Sequence, residues 1–209
     1  MAKGSRAAAV YDRRAMTYDT GSSGRLHGAI VARVARLARD TSSAPRAVLD
    51  VGCGTGRLLG LLTQTYPGAH RFAGVDPAPS MLAVTRERTT DARVTLAQAM
   101  AERLPFPTGT FDLVVTSTSF DHWTDQAGGL AECARVMTPE GVLLLADRIS
   151  AWLVPTLVGS RKAKARTRSR VGRLLTEAGF GPCTWHPVFG VVINAVVASR
   201  QGTSQEPRG

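Results

Sequence analysis

The stretch Ala47-Val48-Leu49-Asp50-Val51-Gly52-Cys53-Gly54-Thr55-Gly56 decides how this chain folds. An apolar run ends in a carboxylate and is followed at once by a glycine at every second position. Short apolar runs of this kind read as buried strands. Alternating glycines let backbone without Cβ atoms wrap closely around a bound group. Arg57-Leu58-Leu59-Gly60-Leu61-Leu62 then restarts with helical spacing, so the unit is strand, glycine loop, helix. Open α/β sheets build a ligand crevice from such units, at the carboxyl ends of their strands.

The glycine spacing separates two ligand classes. A dinucleotide loop, G-x-G-x-x-G, would place its third glycine at position 57. Here that position is Arg57 and the third glycine is Gly56. Asp50, just before the loop, would repel a pyrophosphate and suits a cation. S-adenosylmethionine carries a sulfonium and an ammonium. The segment resembles the first motif of class I S-adenosylmethionine-dependent methyltransferases, and the chain is similar to the small-molecule enzymes of ubiquinone and menaquinone biosynthesis. Alone, the loop would also suit a tight turn in an unrelated α/β protein.

Three further blocks follow in the order the resemblance requires. Phe72-Ala73-Gly74-Val75-Asp76 is a second apolar strand ending in a carboxylate, twenty positions after Gly56. A carboxylate there can accept hydrogen bonds from ribose hydroxyls. Pro77 and Pro79 end the strand, and Ser80 is the expected N-cap of a helix over Met81–Arg88. In the third block, Ala99-Met100-Ala101 precedes Leu104-Pro105-Phe106 and the strand at Phe111-Asp112. The family has Gly-Asp-Ala there, so Met100 replaces an aspartate that faces adenine. A thioether packs on an adenine face but accepts hydrogen bonds weakly. The loss is about 0.5–1.5 kcal/mol, and backbone at Ala101 can still reach the ring edge.

The fourth block runs from Thr116-Ser117-Thr118-Ser119-Phe120-Asp121-His122-Trp123 to the turn Thr138-Pro139-Glu140-Gly141 and a strand from Val142 to Ala146. In the family this loop faces the methyl group. It often carries two adjacent histidines; here only His122 is present, after Asp121. Glu140 stands where the family's turn has its first glycine. Upstream, Tyr11-Asp12 and Tyr18-Asp19 resemble a Tyr-Asp pair that closes over the cofactor.

The resemblance implies S-adenosylmethionine as cofactor and S-adenosylhomocysteine as product. The cofactor contacts it implies are Tyr18, Asp50, Gly52, Cys53, Gly54, Gly56, Asp76, Pro77, Met81, Met100, Ala101, Thr116 and Ser117. The expected reaction is direct in-line displacement at the methyl carbon toward a small-molecule acceptor. His122 is the candidate base and Asp121 its candidate orienting group; no metal is expected. Two alternatives stay open, an RNA methyltransferase and a non-catalytic cofactor-binding or scaffold protein.

The expected fold is α/β: a Rossmann-like, seven-stranded, mostly parallel sheet with its last strand antiparallel and helices on both faces. One domain over 1–209 is expected. It divides into a helical cap (1–40), a cofactor-binding core (45–148), a substrate-side segment with closing strands (149–200) and a disordered tail (201–209). Within the cap, Leu26–Arg39 reads as an amphipathic helix; Pro182–Phe189 and Val191–Ser199 read as the closing strands. Trp152–Val158 is the expected acceptor-side segment.

The net charge is +10, and only Lys3, Lys162 and Lys164 among the 26 cations are lysines. An arginine excess with abundant alanine, glycine and valine fits a GC-rich coding bias, which weakens the inference to nucleic acid. The run Arg161–Arg173 is dense and uncompensated before Glu177. It suits a solvated helix face, an anionic substrate or membrane headgroups, or RNA. The strand-four loop lacks the Asn/Asp-Pro-Pro-aromatic motif of enzymes that methylate exocyclic amines. Cys53, Cys133 and Cys183 are odd in number and lack metal-ligand spacing. With no signal-like start and no apolar run of spanning length, a reduced cytoplasmic protein, monomer or homodimer, is expected.

Overall fold

The computed structural model of the chain describes residues 9–13, 15–150 and 167–201. The decisive stretch opens with β1 (Ala47–Val51), buried along its whole length. It pairs in parallel with β2 (Arg71–Asp76) on one side and β4 (Phe111–Ser117) on the other. A strand flanked on both sides and covered on both faces is apolar outside its crevice end, which is why no hydrophobic alternation is visible in it and why its one polar residue, Asp50, stands next to the last.

The elements follow as α1 (Gly21–Thr41), β1, α2 (Arg57–Thr65), β2, α3 (Pro79–Arg88), β3 (Val94–Gln98), β4, α4 (Gln126–Val136), β5 (Met137–Arg148), α5 (Arg168–Glu177), β6 (Phe180–Phe189) and β7 (Ile193–Arg200). The sheet order is β3-β2-β1-β4-β5-β7-β6. Six strands point the same way, and β7 alone runs antiparallel, to both β5 and β6. This is the expected Rossmann-like sheet. The connection reverses direction between β1 and β4, which opens a crevice at their carboxyl ends.

Period-two alternation splits the core into two layers. Leu49 and Val51 join Leu130, Cys133, Val171 and Leu175 on the α4–α5 face. Val48 joins Ile30, Val34, Leu58 and Leu62 on the α1–α2 face. Asp50 shares the parity of Val48, so it points to the α1–α2 side, at the crevice end.

Several boundaries differ from those read in the sequence. Helix α1 runs past the expected 26–39 at both ends, because Ser22 and Ser23 are tolerated in its exposed first turn. Helix α3 begins at Pro79, and its N-cap position is Ala78 without a side-chain cap. Ser80 is not the cap: its N–H donates to Asp12 Oδ1 at 3.0 Å, so a carboxylate 68 positions upstream does the capping. The closing strands are Phe180–Phe189 and Ile193–Arg200, because Gly190, Val191 and Val192 form the turn between them.

The expected turn at 138–141 is an irregularity within β5. Pairing with β4 jumps from Phe111↔Met137 to Leu113↔Val142. Glu140 adopts φ 67 there, a left-handed conformation that costs a residue with a Cβ roughly 1–2 kcal/mol. The segments 1–8, 151–166 and 202–209, with the expected acceptor-side segment, the tail and the start of the basic run, lie outside the described residues.

Candidate active site

The glycine loop leaves β1 with Gly52, Gly54 and Gly56 all at positive φ, but the three glycines serve different ends. A Cβ on Gly52 would lie 2.4 Å from Ser119 Cβ, and one on Gly56 would lie 2.6 Å from Thr85 Cγ2. Those two positions let neighbouring elements close on the loop. A Cβ on Gly54 would meet nothing within 4 Å, so this glycine keeps space open.

That space is a cleft between the glycine loop, the start of α3, the β4 loop and α1. Of the sequence-derived candidates, Tyr18, Asp50, Gly52, Cys53, Gly54, Asp76, Pro77, Met81, Met100, Ala101, Ser117 and His122 line it. Gly56, Thr116 and Asp121 do not. Gly56 is turned toward Thr85, and Thr116 Oγ1 bonds Ser119 Oγ at 2.7 Å inside the protein. Asp121 is buried and receives Arg148 Nη2 at 3.1 Å. The structure therefore pairs Asp121 with the end of β5 and gives His122 a hydrogen-bond partner upstream of α1.

That partner is Tyr11, whose Oη lies 2.8 Å from His122 Nε2. The two rings meet edge to face with centroids 5.2 Å apart. Tyr11 continues to Tyr18 at 6.0 Å, and Tyr18 to His27 at 5.2 Å. Four rings thus cross the cleft from the β4 loop to α1. The pair Tyr11/Tyr18 packs on Ala78, Met81 and Val84 of the α3 side.

Asp19 anchors the strap, the stretch before α1 that carries Tyr11 and Tyr18. Its carboxylate accepts from Thr55 Oγ1 at 2.7 Å and Arg57 Nη1 at 3.3 Å, and pairs with Arg88. Burial alone would raise its pKa, yet the Arg88 and Thr55 hydrogen bonds and the charges of Arg88 and Arg57 hold it below the ordinary value. Arg57 also donates to Gly24 O at 2.9 Å. The residue whose presence excluded a dinucleotide loop is therefore a tether between the loop, the strap and α1.

Two carboxylates form the cleft floor. Asp76 Oδ2 accepts from Gly54 N at 3.0 Å and Oδ1 from Ala78 N at 2.8 Å. It pins the glycine loop to the start of α3, and its remaining lone pairs can accept from a ligand. Burial raises its pKa, with the two backbone hydrogen bonds working against the rise. Asp50 is 1% exposed, and its Oδ2 has no hydrogen-bond partner. Burial first, and the neighbouring Asp76 second, push it to about 8. An orphaned buried carboxyl is costly unless a partner arrives. A cation bound in the cleft supplies that partner, so Asp50, the open Gly54 and Asp76 fit a cationic nucleoside such as S-adenosylmethionine.

Several site residues escaped sequence reasoning. His27 lines the cleft from α1, its pKa lowered chiefly by burial, and nothing in its amphipathic context marks it. Ser119 Oγ donates to Val51 O at 2.9 Å and receives Trp123 Nε1 at 3.3 Å, tying β1 to the β4 loop. The preceding Thr118, also in the lining, holds φ 55. Such strain in a β-branched residue collects at functional sites.

Residues 49–145 match the family described as a methyltransferase domain. The demethylmenaquinone methyltransferase of Thermus thermophilus is 40% identical over 107 residues, 50% of this chain and 48% of that protein. The malonyl-[acyl-carrier protein] O-methyltransferase of Geobacter sulfurreducens is 31% identical over 187 residues, 82% of this chain and 68% of that protein. The chain spans about half the length of the demethylmenaquinone relatives it matches. In solved structures, a chain of the Haloferax volcanii complex between the Trm112 methyltransferase activator and a methyltransferase superposes with a TM-score of 0.77 at 18% identity, covering 92% of this chain and 98% of that one. At that identity the likeness is one of fold. Loop spacing, strand order, acidic cleft floor and sequence relatives agree: the chain belongs to the class I S-adenosylmethionine-dependent methyltransferases.

Proposed function

We propose that this chain transfers a methyl group from S-adenosylmethionine to an apolar small-molecule acceptor carrying an ionisable hydroxyl or an activated ring carbon. The observation that carries the reading is one cleft that presents an unpartnered buried carboxyl on its floor and a Tyr11–His122 hydrogen bond across its mouth. The cofactor, when bound, supplies an electrophilic methyl group on a cationic sulfur. Asp50 holds the cationic side, Asp76 the ribose, and Met81, Met100 and Ala101 the base.

The acceptor side is aromatic and apolar: Tyr11, Tyr18, Trp123 and His122 face it. Such walls bind a planar or greasy acceptor and exclude water from it. The acceptor's proton passes to the Tyr11 hydroxyl, which hands its own proton across the 2.8 Å contact to His122 Nε2. Holding the reactants supplies most of the barrier reduction, about 7–11 kcal/mol in favourable cases; a positioned base adds about 10²–10⁴ in rate. Two relatives bracket the acceptor chemistry, one named for demethylmenaquinone and one for malonyl-[acyl-carrier protein]. The ring-lined mouth favours the quinol type.

The RNA alternative draws little support from the described end of the basic run. Arg168 Nη2 bonds Asn194 Oδ1 at 2.9 Å and its guanidinium lies over Trp185, while Arg173 is 3.9 Å from Glu177. The test is transfer of a labelled methyl group to a panel of hydroquinones, phenols and malonyl thioesters, with wild type and His122→Ala. A hydroquinone substrate is expected, with turnover reduced 10²–10⁴-fold in the variant and cofactor affinity within threefold. Unchanged turnover with the true acceptor would remove His122 from the reaction.

A further inference from the structure

The large apolar side chains that the protein leaves exposed are distributed on one side only. Among the described residues they are Val10 and Met16 of the strap, Leu26 in the second turn of α1, Met100 in the cleft lining, and Phe189, Val191 and Val192 at the β6–β7 turn. The strap reaches His122 and Ser80, both beyond carboxyl ends of parallel strands. Leu26 adjoins His27, which lines the cleft. The β6–β7 turn reaches the same edge because β7 is antiparallel: Ile193 pairs with Arg148, the last residue of β5. All seven therefore lie on the carboxyl-end edge of the sheet, four of them about the cleft and three at the β6–β7 turn beyond β5. The opposite edge has none among the described residues.

Scattered single apolar residues on a surface carry no meaning; a set confined to one edge marks a contact surface. Met16 is 81% exposed and Val191 65%, more than a residue seated in an intramolecular groove would show. Cations accompany them. Exposed Arg13 lies in the strap, Arg25 precedes Leu26, and Arg33 lies over the Phe189 ring at 5.1 Å. None of the three enters an ion pair among the described residues. The chain as a whole carries +10.

Apolar groups at the tip of a turn and along a strap, flanked by arginines, match an interface of acyl chains beneath anionic headgroups. No described helix is long and apolar enough to cross a membrane, so contact through this edge is peripheral. We propose that the carboxyl-end edge of the sheet docks on an anionic lipid bilayer, with the β6–β7 turn and the strap entering the interfacial layer. The cleft mouth then faces the membrane, where an apolar acceptor is dissolved. This goes beyond the proposed chemistry and deepens it by naming the phase from which the acceptor comes.

The test is sedimentation of the full chain with phosphatidylcholine vesicles, with and without phosphatidylglycerol, alongside calorimetry of S-adenosylmethionine binding. Wild type is expected to partition at least tenfold more onto the anionic vesicles. Val191→Asp/Val192→Asp is expected to lose at least tenfold of that binding with cofactor affinity unchanged, since the turn lies outside the cleft lining. Arg25→Glu/Arg33→Glu provides an independent variant with the same expectation. The proposal is overturned by wild type that ignores anionic vesicles, by Asp variants that bind as wild type does, or by preference for an acidic carrier protein over lipid. Cofactor binding is read separately, so failure to dock and failure of the methyl-transfer reading are distinguishable.

Discussion

The glycine-loop wall and the N-terminal strap face each other across one cleft, and they are held by opposite means. The loop wall grows out of β1, is enclosed by strands on both sides, and closes through contacts that leave no room for a Cβ at Gly52 or Gly56. The strap touches the body through a few polar latches, chiefly Asp12 on Ser80 and Asp19 on Thr55, Arg57 and Arg88, with edge-to-face rings between them. One wall is fixed by close packing of backbone, the other by hydrogen bonds that a single substitution can remove and by one small apolar cluster of Ala15, Tyr11 and Tyr18 on α3. Elements of the second kind open locally at low free energy, which suits a segment that must admit cofactor and release product.

The largest effect is expected on the packed wall. Gly52→Ala combines a left-handed backbone worth about 1–2 kcal/mol of strain with an overlap at Ser119 worth about 1–3 kcal/mol. Cofactor binding by calorimetry should fall below detection while the protein still folds. Measurable affinity near wild type would show that the loop yields and that the contrast between the walls is false.

Asp50 sharpens the comparison through pH. Its folded pKa of about 8 lies above the ordinary carboxylate value of 3.8. The unfolded chain therefore binds fewer protons over that window, and the ligand-free fold loses stability as pH rises from about 4 to about 8. Asp147, pushed to about 6 chiefly by burial, adds the same sign over the lower half of the window. A cationic cofactor prefers the ionised Asp50, so its affinity should rise toward pH 8, with release of a proton when binding is measured near pH 7. Asp50→Asn should abolish that proton release, weaken cofactor binding tenfold or more, and raise the melting temperature of the ligand-free protein. Proton release that persists in the variant would assign it to another group.

The smallest effect belongs to the strap. Asp19→Ala removes the anchor shared by Thr55, Arg57 and Arg88. Cofactor affinity should drop about tenfold, or about 1.4 kcal/mol, and protease cleavage near residues 15–20 should accelerate. Melting temperature should fall by no more than a few degrees, since about 2–4 °C accompanies each kcal/mol in a chain of this size. A collapse in melting temperature would make the strap part of the packed body.

Most of the loop wall was legible in the sequence, because its requirements are local. An apolar strand, its terminal carboxylate and glycines at alternate positions are read within ten residues, and the second strand's carboxylate follows twenty positions on. The strap was legible only as two Tyr-Asp pairs. Its latches join residues 36 to 69 positions apart, and no spacing rule predicts that Arg57 will turn back to Asp19. The same distance explains Ser80, where an upstream carboxylate displaced the expected local cap, and Asp121, where the end of β5 supplied the partner.

By itself the sequence determined the strand–loop–helix unit, the position of the crevice and the acidic floor beneath it. Those follow from burial, backbone freedom and charge within short segments, and such constraints survive without knowledge of neighbours. Tertiary structure alone decided which glycine stays open, which carboxyl lacks a partner and which tyrosine meets His122. It also decided that the exposed apolar groups gather on one edge. These are properties of proximity between distant segments, and they exist only once the antiparallel last strand and the N-terminal strap have closed on the parallel sheet.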